Sequence, residues 1–192
     1  MIKSKIITAA VVAVGVFVGF EYPSVAQPNR PTTQQNQTTL SALDRLFIVE
    51  AAQGGLAEVS LGQLAAQRAT NPTVRQFAQR MVTDHTRANQ ELVRLAAQKG
   101  VVPPQNLGKY TAVMQRLSQL SGESFDRAYL NEAGINAHVE SEVVYRRQTQ
   151  LGQDRDLQAF AAKTLPVVQM HLRMAQNLER GMTGARQNQR TP

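Results

Sequence analysis

The sequence predicts an all-α protein, a four-helix bundle built from two antiparallel hairpins joined by a long crossover. Apolar residues recur at alternating spacings of three and four through four stretches between residues 41 and 180, the period of helices with one buried face. Ala, Gln, Leu and Arg dominate while aromatics make up 5%, so helix formers abound and strand chemistry is nearly absent after residue 30. Finally, two of the connections between the stretches are tight turns and one is long, which sets the order of the hairpins.

The first helix is expected from about Ser41 to Ala69, with Leu43, Phe47, Glu50, Gly54, Ala57, Leu61 and Leu64 along its seam. Gly54 and Gly55 in mid-helix cost roughly 1 kcal/mol each against Ala, a cost that a close helix crossing or a kink would explain. Asn71-Pro72 reads as an N-cap followed by Pro in the first turn. The second helix then runs to about Lys99 with Ala78, Met81, His85, Ala88, Leu92 and Leu95 on one stripe, and Gly100 and Pro103-Pro104 end it. Residues 100–122 form the crossover, holding one short helix over Tyr110–Leu120. A third long helix is expected from Glu123 to Leu151. The fourth runs from Asp154 to Arg180 with a local bend at Pro166. The crossover is long enough to return along the bundle, which sets the second helix parallel to the third. The halves also look alike: Asn71–Ala78 (NPTVRQFA) resembles Asp154–Ala161 (DRDLQAFA), as a duplicated hairpin would.

Residues 1–26 read as a secretory signal. Lys3 and Lys5 precede the uncharged run Ile6–Phe20, and Ser24-Val25-Ala26 supplies small residues for cleavage before Gln27. That run of 15 residues is short of the ~20 that span a bilayer comfortably. No Cys follows it, which excludes a lipid-anchored form. Residues 27–40 read as a disordered Gln/Pro/Thr-rich tether and 181–192 as a disordered tail. The expected address is the periplasm or the outer membrane. Without Cys, an exported domain takes its stability from its core. Removing Lys3, Lys5 and Glu21 from the totals leaves 19 basic and 13 acidic residues, a net +6. The basic residues are dispersed and no aromatics interleave them, which argues against nucleic acid. The balance allows a weak contact with an anionic membrane surface, beside an unknown protein or envelope partner.

Phe47–Leu64 (FIVEAAQGGLAEVSLGQL), Phe77–His85 (FAQRMVTDH), Phe125–Leu130 (FDRAYL) and Ala159–Leu165 (AFAAKTL) are similar to an uncharacterised bacterial family. Its members are often labelled predicted outer-membrane proteins. The resemblance covers about residues 43–179 and implies a ferritin-like fold, with no established activity.

The candidate chemistry rests on three histidines, His85, His138 and His171, each in a different long helix. Counting from the turns, Glu58, His85, Glu132, Asn136 and His171 lie within about a turn and a half of one depth, at 1.5 Å per residue. Asp84 lies beside them, and Glu50 is two turns away. His138 shares the depth, but the apolar residues Phe125, Tyr129, Val139 and Val143 centre on Asn136, which turns His138 toward solvent. The inward set suits iron, zinc or copper. Met81 and Met174 each share a face with a histidine, which would favour copper. Ferritin-like di-iron proteins carry Glu-x-x-His on two helices, whereas here Val82 and Val168 stand three residues before His85 and His171. That departure argues against oxidase chemistry. No nucleophile pattern or phosphate loop is present either, so a non-catalytic module of unknown role is expected, with no established cofactor. Two readings of the histidines stay open. They form a buried polar layer that fixes the bundle's register, or a periplasmic copper or iron site.

Overall fold

The computed structural model describes the backbone of residues 40–190 and the side chains through residue 184. The signal, the cleavage point and nearly all of the tether lie outside the described residues. Those described belong to one unit, residues 37–192. They form an all-α fold, and among them no helix is long and apolar enough to cross a membrane.

Helix α1 spans Ala42–Arg68 and α2 spans Pro72–Gln98. Ser41 caps α1 by accepting from the Asp44 N–H at 3.1 Å, and Asn71 caps α2 by accepting from Thr73 N–H at 2.9 Å. Both satisfy donors that a helix start leaves open. The tight turn between the two helices is held by Asp126, a buried carboxylate that accepts from the backbone N–H groups of Thr70 and Asn71 and from the Thr70 hydroxyl. Gly100, at φ 69°, then ends α2 in the left-handed region that glycine tolerates. A 3₁₀ turn, Gly108–Tyr110, leads into the short α3, Thr111–Ser118. Next comes one continuous rod: α4 (Gly122–Tyr129), a π-helical segment (Leu130–Asn136) and α5 (Ala137–Leu151). Helix α6 begins at Arg155 and runs through Pro166 to Arg190, so the chain stays helical beyond the end expected at Arg180. Met182, Ala185 and Arg186 are good helix formers, and no proline stands in the way before Pro192.

Gly55, Gly62 and Gly134 mark close crossings, whereas a Cβ on Gly54 would make only ordinary contacts, 3.8 Å from the Tyr110 hydroxyl and 3.9 Å from Ser141 Oγ. A Cβ on Gly55 would lie 1.9 Å from Asn89 Oδ1, and one on Gly62 would lie 3.1 Å from the Ala78 carbonyl oxygen, so α1 and α2 approach through them. A Cβ on Gly134 would lie 2.7 Å from Ala175 Cβ, which draws the π segment against α6.

The interior is divided in two. One apolar cluster gathers Leu61, Phe77, Met81, Leu117, Phe125, Tyr129 and Leu130. The other gathers Phe47, Ile48, Leu92, Tyr145, Leu157 and Phe160. Both α2 and the rod pass from the first cluster to the second, so they run parallel, while α1 and α6 pass the other way. Each histidine sits where its helix crosses from one cluster to the other.

Candidate metal centre

His85 comes from α2, His138 from the start of α5 and His171 from α6. All three are buried, His138 and His171 completely. Their ring centroids stand 5.3, 5.5 and 5.5 Å apart, close to an equilateral triangle. One ring nitrogen from each lies within 4.8 Å of the other two. The centre of that triangle is about 3.1 Å from each centroid, against the ~3.2 Å that a metal–nitrogen bond of about 2.0 Å imposes on an imidazole. The rings therefore stand at coordination distance and need only turn their nitrogens inward.

Two of the rings have fixed tautomers. His138 Nδ1 lies 2.9 Å from the Ala133 carbonyl, which can only accept, so Nδ1 carries the proton and Nε2 the lone pair. His171 Nε2 lies 2.9 Å from Asp84 Oδ2 and donates to it, which leaves the lone pair on Nδ1. Those two lone-pair nitrogens, together with His85 Nε2, are buried without a hydrogen-bond partner among the described residues. Such orphans are rare in folded proteins. Burial holds the His85 pKa well below its usual value, and the neighbouring His138 and His171 push it the same way. Burial, helped by His171 and opposed by the backbone bonds at Ala133 and Gly134, lowers His138 to about 3. Burial also lowers His171 in spite of Asp84. All three are thus neutral at pH 7, the form that ligates a metal.

Carboxylates stand behind the rings. Asp84 is half-buried and is held from the solvent side by Arg80 at 3.3 Å. Glu58 on α1 is buried, with Oε1 3.4 Å from His138 Nδ1 and neither oxygen hydrogen-bonded among the described residues. Burial raises its pKa well above the carboxylate range, so this pair at ion-pair distance is uncharged. The Tyr129 hydroxyl is likewise buried without a partner. A carboxylate behind a ligating histidine fixes the ring and strengthens it as a donor.

The structure corrects three sequence expectations here. His138, expected toward solvent, is buried at the centre, and it is the residue that sequence reasoning missed. Asn136, expected inward, is exposed. Glu132 forms an ion pair with Arg116 rather than facing a histidine. One cause covers His138 and Asn136, which stand beyond and at the end of the π segment. A π turn takes up one more residue than an α turn, so every later residue is rotated back by about 100°. Ala137 N–H accordingly bonds to the Glu132 carbonyl, five residues back, and the His138 ring takes up the Ala133 carbonyl. The same rotation leaves Val139 and Val143 exposed at 47% and 61%, although regular helical spacing puts both on the seam. Glu58 and Asp84 stand near the rings as supports rather than in the ring of nitrogens. Met81 and Met174 pack with the first apolar cluster.

Residues 29–178 match the domain of unknown function DUF4142, and the chain belongs to that family. No curated protein and no solved structure matches it.

Proposed function

We propose that this member of the family binds one divalent transition-metal ion between His85, His138 and His171. The observation that carries the reading is the convergence of three neutral, buried imidazoles, each with a buried ring nitrogen that has no partner among the described residues. Imidazole ligands suit zinc, copper and iron. Three histidines with an open fourth position make a mononuclear site, and the absent Glu-x-x-His pairs disfavour a di-iron one. The Asp84 carboxylate holds the His171 ring and supplies negative charge close to the ion, while the uncharged Glu58 stands behind His138. Binding rather than turnover is the proposed role, in an exported, envelope-associated protein with a ferritin-like four-helix arrangement. The basic-start apolar segment favours export. The antiparallel pairing of α1 with α2 and of the rod with α6 favours that arrangement.

Untagged protein purified from its own envelope fraction should carry about one equivalent of metal per chain by elemental analysis. Metal-free protein should take up one equivalent of Zn²⁺ or Cu²⁺ in a calorimetric titration. His85→Ala, His138→Ala and His171→Ala should each abolish uptake while keeping the helical circular dichroism. Wild-type protein that is free of metal and takes up none at micromolar concentration refutes the site. It leaves the histidines as a polar layer that fixes the bundle's register.

A further inference from the structure

Beside the histidines lies a cavity of about 200 Å³. Its walls come from α1, from the 3₁₀ turn before α3 and from α5, with Glu50, Lys109, Tyr110, Glu140 and Ser141 among them, and His85 forms part of the lining. His85 is also the one residue of the three with any exposure, 8% against 0% for the others, although its Nε2 is itself buried. At roughly 30 Å³ per water, the cavity has room for a metal ion with its inner hydration shell. The lining carries two carboxylates and one ammonium. Arg147 holds Glu50 from outside the lining, and Lys109 Nζ holds Glu140 at 2.7 Å, with the Tyr110 hydroxyl donating to the same carboxylate at 3.0 Å. Lys109 is exposed and therefore free to swing away.

Resting on the metal-site reading above, we infer that this cavity is the route by which a hydrated divalent cation reaches the triad. The ion comes in between Glu50 and Glu140 and meets the His85 side chain first. It exchanges a water for the His85 ring nitrogen as that ring turns toward the cavity, and then draws in His138 and His171. The released waters leave by the same opening. Lys109 opposes the approaching charge and competes for Glu140, so it sets the rate of loading rather than the final affinity.

The test is stopped-flow loading of metal-free protein with Co²⁺, followed by its visible absorption, at low and high salt. Ser141→Trp plugs the cavity without touching a ligand. Association should slow at least tenfold and dissociation by a similar factor, leaving the equilibrium constant within about threefold of wild type. Association within twofold of wild type overturns the route and leaves the site standing. Should S141W fail to fold, Lys109→Gln on the surface decides. Loading two- to fivefold faster at low salt, a gain that fades at high salt, supports the route, and unchanged or slower loading overturns it. Absence of Co²⁺ uptake by wild-type protein removes the site itself and the route with it.

Discussion

Glu58→Met in metal-free protein should raise stability, the reverse of what most buried substitutions do. Glu58 is buried and uncharged, and neither of its oxygens is hydrogen-bonded among the described residues. A buried polar group without partners carries a desolvation cost of about 1–3 kcal/mol, and an apolar side chain of similar shape removes it. Met matches Glu in length and adapts its rotamers beside Tyr129. Taking the midpoint, a gain of about 2 kcal/mol corresponds to roughly 4–8 °C in Tm for a chain of this size. Urea unfolding with EDTA at pH 7, followed by circular dichroism, measures it. Glu58→Gln keeps a polar group that finds no better partner and should gain nothing. With saturating Zn²⁺ the order should narrow or reverse. Wild-type protein gains about 2.7 kcal/mol at a hundredfold excess over Kd, while the variant lacks the carboxylate behind His138 and gains less. An E58M protein more than 1 kcal/mol weaker than wild type in EDTA would refute the reasoning. Glu58 would then be satisfied in the metal-free fold, as a purely structural layer requires.

The glycines and Asp44 give two further tests. Gly134→Ala drives a Cβ onto Ala175 Cβ, which its own backbone holds in place, and should cost about 1–3 kcal/mol in chemical denaturation. Gly55→Ala meets only the end of the Asn89 side chain, which can turn away while the helix gains propensity, so its effect should stay within about 1 kcal/mol of zero. Asp44 is pushed up by burial but pulled below its usual value by hydrogen bonds from Ser41, Gln148 and the backbone. Its contribution is therefore present above the unfolded pKa near 3.9 and is lost as pH falls through the folded value. Asp44→Asn should lower stability at pH 7 by about 1–3 kcal/mol and flatten the acid limb of the stability–pH curve. A variant with the same acid limb as wild type would mean that another carboxylate sets it.

Local signals account for what the sequence made legible. Asn71-Pro72, Gly100 and the three-and-four spacing of Phe47, Ala57 and Leu61 act within a few residues, so the elements and the turns that join them could be read directly. The close crossing at Gly55 could be read too, because a glycine in mid-helix has a cost that only packing offsets. The rod was legible at both ends and misread in the middle. Helical projection assumes 100° per residue, and that assumption fails once a single π turn intervenes.

The cost of that one turn fell on the site. Phe125 and Tyr129, before the π segment, are buried as projection required, while Val139 and Val143, after it, are exposed. A signal was present in the residues themselves. The turn that must press against α6 is Leu130–Asn136 (LNEAGIN), with a glycine where Ala175 approaches and two β-branched residues, Val139 and Val143, following on what becomes the outer face. A second signal was numerical: three histidines, one on each of three helices, at one depth. Turning one of three equivalent residues outward left the other two with an odd set of partners. His138, not Glu132 or Asn136, closes the triangle with His85 and His171. The π segment costs the rod its regular hydrogen bonding. It exposes two valines and leaves Ala133 to be capped by a side chain, and in exchange the His138 ring reaches the centre with its Nε2 buried and unpartnered among the described residues. That is the usual association of such segments with functional positions, and it supports the proposed metal site at the triad.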